Sequence, residues 1–335
     1  MNTSQQAQGL KQEKTEKLIF STAVIDKPRT VKFIETAITA CGDRELIVKM
    51  EGVGLCASNI PVWEGRDWFH YPLDPGLPGH EGWGYIANKG ALAKEFEVGQ
   101  RVALLQNNCF AEFVRVSADN AVPLPSFLDH IPFPGEALGC LMNIFNRADI
   151  RKDHTVAIIG LGFLGLGLIQ LCKQRGAKVV ALSRRDASLQ MAAPDADLCV
   201  KLEDHYQVLR TLEAFTDGKG CERVIECTGK QWPLDIATEI IGEYGKLIIA
   251  GYHQDGLRSV NMQQWNWKAI DVINAHERDP EKYKSGIQSA IEATQSGLLK
   301  PMDLISHQYT FQDLAEALET LAQCPDGFVK GFIKF

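Results

Sequence analysis

The segment that most limits how this chain can fold is Val156-Ala157-Ile158-Ile159-Gly160-Leu161-Gly162-Phe163-Leu164-Gly165. A short apolar run enters Gly-x-Gly-x-x-Gly, and an apolar stretch without proline follows through Leu171. The spacing predicts a buried strand, a tight turn and a helix. Gly160 permits the turn, Gly162 lets the backbone approach a pyrophosphate, and Gly165 lets the helix pack close to the strand. The helix N-terminus, at Phe163 and Leu164, offers free N–H groups and a positive dipole end. The motif alone is weak, but the context is right. A strand precedes it, a helix follows, and a second strand at Lys178 to Leu182 comes about twenty residues on. The same reading removes a competing one. Val156 to Cys172 is the one stretch apolar enough to suggest a membrane span, yet it is short for that and holds four glycines.

The residues after the second strand are Ser183-Arg184-Arg185. A site built for NAD usually has a carboxylate at the first of these positions, to bind the ribose 2′-hydroxyl. Here a hydroxyl and two guanidinium groups stand instead, which suits a 2′-phosphate. NADP is expected in preference to NAD. Further apolar runs at Arg223 to Cys227, Lys246 to Ala250 and Ile270 to Ala275, with helical segments between, predict a doubly wound parallel sheet over 148–279. Gly251 and Tyr252 follow one of these strands, at the carboxyl end where such sheets bind ligands, and backbone contact with the nicotinamide side is expected there. His253 is a weaker candidate, as a base.

Before that sheet the pattern differs. Leu18 to Val24, Thr30 to Thr36, Glu45 to Met50, a segment fed by Gly99-Gln100-Arg101, and Phe110 to Val116 read as short strands among many Gly and Pro. They predict an antiparallel, partly closed barrel. Glu136 to Ala148 and Glu281 to Gly297 have helical spacing, and Ser306 to Phe335 reads as strand, helix, strand returning to the first domain. The expected division is a tail at 1–17, one domain from 18–147 and 280–335, and a second from 148–279. Length supports two domains. A net charge of −7 without long like-charge runs argues against nucleic acid or an anionic membrane as partner. Nine scattered cysteines and a polar start fit free thiols in a cytoplasmic protein.

Two turns of the first domain hold possible ligands: Gly54-Leu55-Cys56-Ala57-Ser58-Asn59 and Gly79-His80-Glu81-Gly82. One Cys and one distant His are by themselves a poor metal signal. Together with Val98-Gly99-Gln100-Arg101-Val102 and the Gly-rich turn, in that order, they make the chain resemble the medium-chain zinc-dependent alcohol and polyol dehydrogenases from about residue 18 onward. The resemblance implies a GroES-like antiparallel β-barrel catalytic domain plus a Rossmann coenzyme domain. It implies one catalytic zinc held by Cys56, His80 and Glu136, with Cys140, one turn beyond, competing for the third place. It implies Glu81 beside the metal, Ser58 relaying the substrate proton, and Lys330 near the cleft, where it is expected to touch cofactor. A cation with three protein ligands and an open position eases loss of an alcohol proton.

Departures from the family pattern are also visible. Asn59 replaces the usual Asp behind the zinc histidine, so an uncharged oxygen is expected to accept the histidine N–H. Pro61 replaces a relay histidine. The lobe of four cysteines that holds a structural zinc in relatives is missing, and Cys109 stands alone there. Trp63, Trp68 and Phe69 are candidate substrate contacts for a polyol or an aromatic ring. Small-molecule substrates and a homodimer or homotetramer are expected. Two other readings remain: a zinc-independent NADPH enone or quinone reductase, and a dinucleotide-binding protein without catalysis.

Overall fold

The computed structural model describes residues 17–335, so the tail read at the start lies, Lys17 apart, outside the described residues. The first part of the chain forms β1 (Leu18–Lys27), β2 (Thr30–Ile38), β3 (Glu45–Gly54), α1 (Asn59–Glu64), β4 (Glu81–Lys89), β5 (Arg101–Leu104), β6 (Phe113–Ser117) and β7 (Ala121–Pro123). Helix α2 (Gly135–Ala148) follows. Then come β8 (Thr155–Ile159), α3 (Phe163–Gln174), β9 (Lys178–Ser183), α4 (Asp186–Ala192), β10 (Leu198–Lys201), α5 (His205–Phe215), β11 (Cys221–Glu226), α6 (Gln231–Ile240), β12 (Ile241–Ile249), α7 (Met262–Trp267) and β13 (Asp271–Asn274). The chain closes with α8 (Pro280–Gln295), β14 (His307–Thr310), α9 (Leu314–Gln323) and β15 (Gly331–Lys334).

Strands β8 to β13 make a parallel sheet in the order β10-β9-β8-β11-β12-β13. From β8 the chain winds outward to β10, crosses to β11 and winds the other way to β13. The crevice at that reversal is where ligands bind in such sheets. Helices cover both faces, so the central strand is apolar on both. Val156 and Ile158 enter one core with α2 and α3, while Ala157 and Ile159 enter the other. Strand β10, four residues with Val200 alone buried, was not legible because so short an edge strand carries no periodic signal.

The GroES-like domain is a sheet ordered β14-β15-β3-β4-β5-β7, with β6 also on β3, and a separate β1–β2 pair. Its last strand returns as expected: β15 pairs antiparallel with β3, Ile333 opposite Val53. That pairing carries Lys330, just before β15, to the end of β3 where Gly54 faces Glu81. Helix α2 lays Leu138, Leu141 and Met142 into the core shared with α8 (Ile287, Ala290, Ile291). Close approach needs Gly139, where a Cβ would stand 3.0 Å from Ile287. Arg101, buried, ion-pairs with Glu51 at 2.6 Å and donates to the carbonyls of Leu128 and Ile131. It thereby fixes the loop that leads into α2. Among the described residues no helix is long and apolar enough to cross a membrane.

Candidate active site

Two loops of the barrel sheet converge. Cys56 follows β3, His80 precedes β4, and Glu81 begins it. The Cys56 sulfur, a His80 ring nitrogen and a Glu81 oxygen lie within 4.8 Å of one another. His80 Nδ1 is 2.9 Å from the Pro78 carbonyl. A carbonyl can only accept, so Nδ1 carries a proton and Nε2 is the nitrogen left for a metal. Burial works against the imidazolium, but Cys56, in hydrogen-bond contact, and the charges of Glu81 and Glu136 outweigh it and push His80 up to about 10. A thiol, an imidazole and a carboxylate within reach of one another are the donor types that a transition-metal cation takes. A cation such as zinc, with thiolate, imidazole and carboxylate ligands at about 2.0–2.3 Å, fits that set.

Glu136, on the first turn of α2, stands outside this mutually close trio. Burial pushes its carboxyl up, as does the charge of Glu81, against His80 and Lys330, which lower it. Its Oε1 accepts the Cys140 thiol at 3.3 Å, and the Tyr283 hydroxyl of α8 reaches Cys140 in turn. Glu81, 1% exposed, faces the buried Lys330, whose ammonium lies 2.5 Å from its carboxylate oxygens. Gly54 makes room for this pair, since a Cβ there would fall 2.0 Å from Glu81 Oε2. The Lys330 ammonium also sits 4.8 Å over the Phe163 ring, at the start of α3. The metal-ligand candidates and the Gly-rich turn are therefore linked through one lysine.

Asn59 requires a correction. Its oxygen does not accept the His80 N–H; it accepts the Cys56 N–H at 3.1 Å, while its amide donates to the Pro78 carbonyl at 3.2 Å. The reason is that a neutral amide both donates and accepts, so it can clamp the two ligand loops together, and a carboxylate cannot. The Pro78 carbonyl thus accepts the hydrogen bond from the histidine Nδ1–H as well. Ser58 stands just before α1, at its cap position, but its side chain caps no backbone N–H, so the hydroxyl is not consumed by the helix.

The Gly-rich turn has the geometry its sequence predicted. Gly160 has φ +97, and a Cβ on Gly165 would lie 2.1 Å from the Gly160 carbonyl. At Gly162, which caps α3, a Cβ would meet nothing within 4 Å. That open space is what a pyrophosphate would fill. Of the residues expected at the ribose, Arg184 is exposed, but Ser183 is buried and its hydroxyl accepts the Arg185 N–H at 3.1 Å. The Arg185 guanidinium donates to the carbonyls of Phe328 at 2.6 Å and Leu161 at 3.2 Å, tying the two domains together.

Trp63 is a second correction. It is 2% exposed, packs in the barrel core, and donates its indole N–H to Glu319 of α9 at 2.9 Å. It is a core residue because α1 turns it inward, and the helical phase of so short a helix was not legible. Trp68 is exposed and lines a cavity of about 440 Å³ with Arg66 and Asp255, and Phe69 is half-buried beside it. Tyr252 is exposed, and the Gly251 N–H donates to the Glu226 carbonyl at 2.7 Å. Sequence reasoning overlooked Glu226 itself. A charged residue closing the apolar run Val224-Ile225 was the available signal.

The comparisons agree with this architecture. An alcohol dehydrogenase GroES-like domain matches residues 42–126, and a zinc-binding dehydrogenase domain matches 164–292. L-galactonate-5-dehydrogenase of Escherichia coli K12 is 23% identical over 93% of this chain and 98% of its own. Among solved structures, a short chain alcohol dehydrogenase of Escherichia coli CFT073 complexed with NADH superposes with a TM-score of 0.81 at 22% identity, covering 95% of this chain and 99% of that one. A zinc-binding dehydrogenase of Sinorhizobium meliloti 1021 bound to NADP gives 0.80 at 20% identity, over 95% and 100%. With both domains matched in order on the fold and site described, the chain belongs to the zinc-type medium-chain alcohol and polyol dehydrogenase family.

Proposed function

We propose that the chain is a zinc-dependent oxidoreductase that moves a hydride between NADP(H) and a polyhydroxylated secondary alcohol or its ketone. The convergence of Cys56, His80 and Glu81 beside the Lys330–Phe163 contact carries this reading. Cys56 and His80 are two ligands, and Glu136 is the third, with Glu81 able to exchange into its place. Bound zinc would supply the charge that polarises the substrate oxygen. Ser58 would accept the hydroxyl proton and pass it to solvent, since Pro61 offers no further relay. Lys330 balances Glu81 and borders the cofactor.

For the nucleotide, Gly160, Gly162, Phe163, Leu164 and Gly165 cradle the pyrophosphate, Gly251 and Tyr252 meet the nicotinamide side through backbone, and Arg184 faces the 2′-phosphate. Ser183 and Arg185 support that loop. Trp68 and Phe69 border the substrate, and the dehydrogenase of L-galactonate among the relatives favours a substrate with several hydroxyls. Cys109, buried with its thiol on the Gln106 carbonyl, is consistent with a single zinc. Pairing of two chains through the edge strand β13 would give a dimer.

Metal analysis of protein purified without chelator, paired with turnover on a panel of polyols and ketones, tests this. One zinc per chain and a loss of turnover of about a hundred- to a thousandfold in Cys56→Ser are expected. Zinc-free protein that turns over, or Cys56→Ser at parental rate, would sink the mechanism. A higher kcat/KM with NADH than NADPH would overturn the coenzyme assignment alone.

A further inference from the structure

At the reversal of the parallel sheet, beyond the groups assigned above, lies a carboxylate with no role so far. Glu226 ends β11 and is fully buried. Its Oε1 accepts the N–H groups of Thr228 at 2.6 Å and Gly229 at 3.0 Å, and its Oε2 lies 3.0 Å from His253 Nε2. Arg258 Nε approaches His253 Nδ1 at 3.2 Å. A guanidinium N–H can only donate, so Nδ1 accepts and Nε2 carries the proton toward Glu226. Both ring nitrogens are thus committed, which removes His253 as a base. Arg258 also donates to the Gly229 carbonyl at 2.8 Å, on the other loop.

The two loops so joined, 227–231 after β11 and 250–258 after β12, touch backbone to backbone. A Cβ on Gly229 would fall 2.3 Å from the Tyr252 carbonyl, and one on Gly251 would fall 2.3 Å from the Gly229 nitrogen. Asp255, at the tip, pairs with Lys230 at 2.8 Å and approaches Arg66 of the barrel domain at 3.5 Å. Packing alone would not need a buried charge, since apolar residues of similar volume hold loops as well or better. A carboxylate at the carboxyl end of a strand, in the ligand crevice, points to a task set by the ligand.

We infer that Glu226, His253 and Arg258 are positioning residues that lock these two loops together and so set the grip on the nicotinamide half of the cofactor. The inference rests on the coenzyme reading above. The network has one self-consistent arrangement of hydrogens. Glu226→Gln would set an amide N–H against the His253 N–H, and a change of histidine tautomer would only move the clash to Arg258. His253→Ala removes the bridge, whereas His253→Gln can restore a donor to Glu226.

The test compares the reduced cofactor, followed by its nicotinamide fluorescence, with the matching ADP-ribose or its 2′-phosphate, which lacks the nicotinamide. In Glu226→Gln and His253→Ala the Kd for the reduced cofactor should rise about tenfold, the loss of one hydrogen bond to a charged group. The Kd for the fragment should stay within about twofold, and His253→Gln should recover much of the loss. Arg258→Gln, which leaves Glu226 and His253 in place, gives the same comparison if the buried variants fail to fold. Parental affinity for the reduced cofactor in the folded variants, or equal weakening of both ligands, overturns the inference. A parent that binds neither ligand overturns the coenzyme reading itself.

Discussion

Single residues at the site act through what their neighbours leave them. The Pro78 carbonyl accepts the His80 Nδ1–H, and this alone decides which ring nitrogen can ligate. Asn59 shows how one atom changes a part: with an amide in place of a carboxylate it binds the Cys56 and Pro78 backbones and leaves histidine alone. The raised His80 has a measurable consequence. Without metal it titrates near 10, so at neutral pH it holds a proton that a ligated metal must displace. Zinc affinity should therefore climb with pH, by about tenfold per unit for this one proton, and level off only near the pKa. Competition against a chelator of known affinity across pH 6 to about 9 would show the slope. An affinity independent of pH would mean that the histidine is already neutral or not a ligand.

Among the elements, α3 divides its glycines between fold and function. Gly165 sits against the Gly160 carbonyl and has no room for a methyl group, while Gly162 has room and nothing to fill it. The two should separate cleanly on substitution. Gly165→Ala is expected to destabilise the chain by about 1–3 kcal/mol, the usual cost of overpacking, seen as a lower denaturant midpoint. Gly162→Val should leave that midpoint near the parent and abolish nucleotide binding, because its side chain projects into the pyrophosphate space. If Gly162→Val binds the nucleotide as the parent does, the cradle is elsewhere.

For the whole molecule, Lys330 over Phe163 and Arg185 on the Phe328 carbonyl are among the contacts that join barrel to parallel sheet. Lys330 and Glu81 are 4% and 1% exposed, so loss of either charge strands the other. Lys330→Met in metal-free protein should cost about 3–5 kcal/mol, as for breaking any buried pair, and adding Glu81→Gln should return much of it. Urea unfolding of the single and double variants measures both. Equal stability of Lys330→Met and the parent would show that Glu81 is not ionised beside the lysine.

Apart from β4, β7 and β10, the strands of both domains and the Gly-rich turn were legible from residue order, because they rest on local rules: burial on both faces of β8, the period of α2, and steric limits at Gly160 and Gly165. The candidate ligands Cys56, His80 and Glu136 came from a resemblance rather than from periodicity, and their distances were beyond its reach. Contacts between residues far apart in the chain depend on register and side-chain rotamer, which no local pattern encodes. So only the tertiary structure could seat Glu81 with Cys56 and His80, set Lys330 against a residue 249 positions earlier, turn Trp63 into the core, and swing Arg185 away to Phe328.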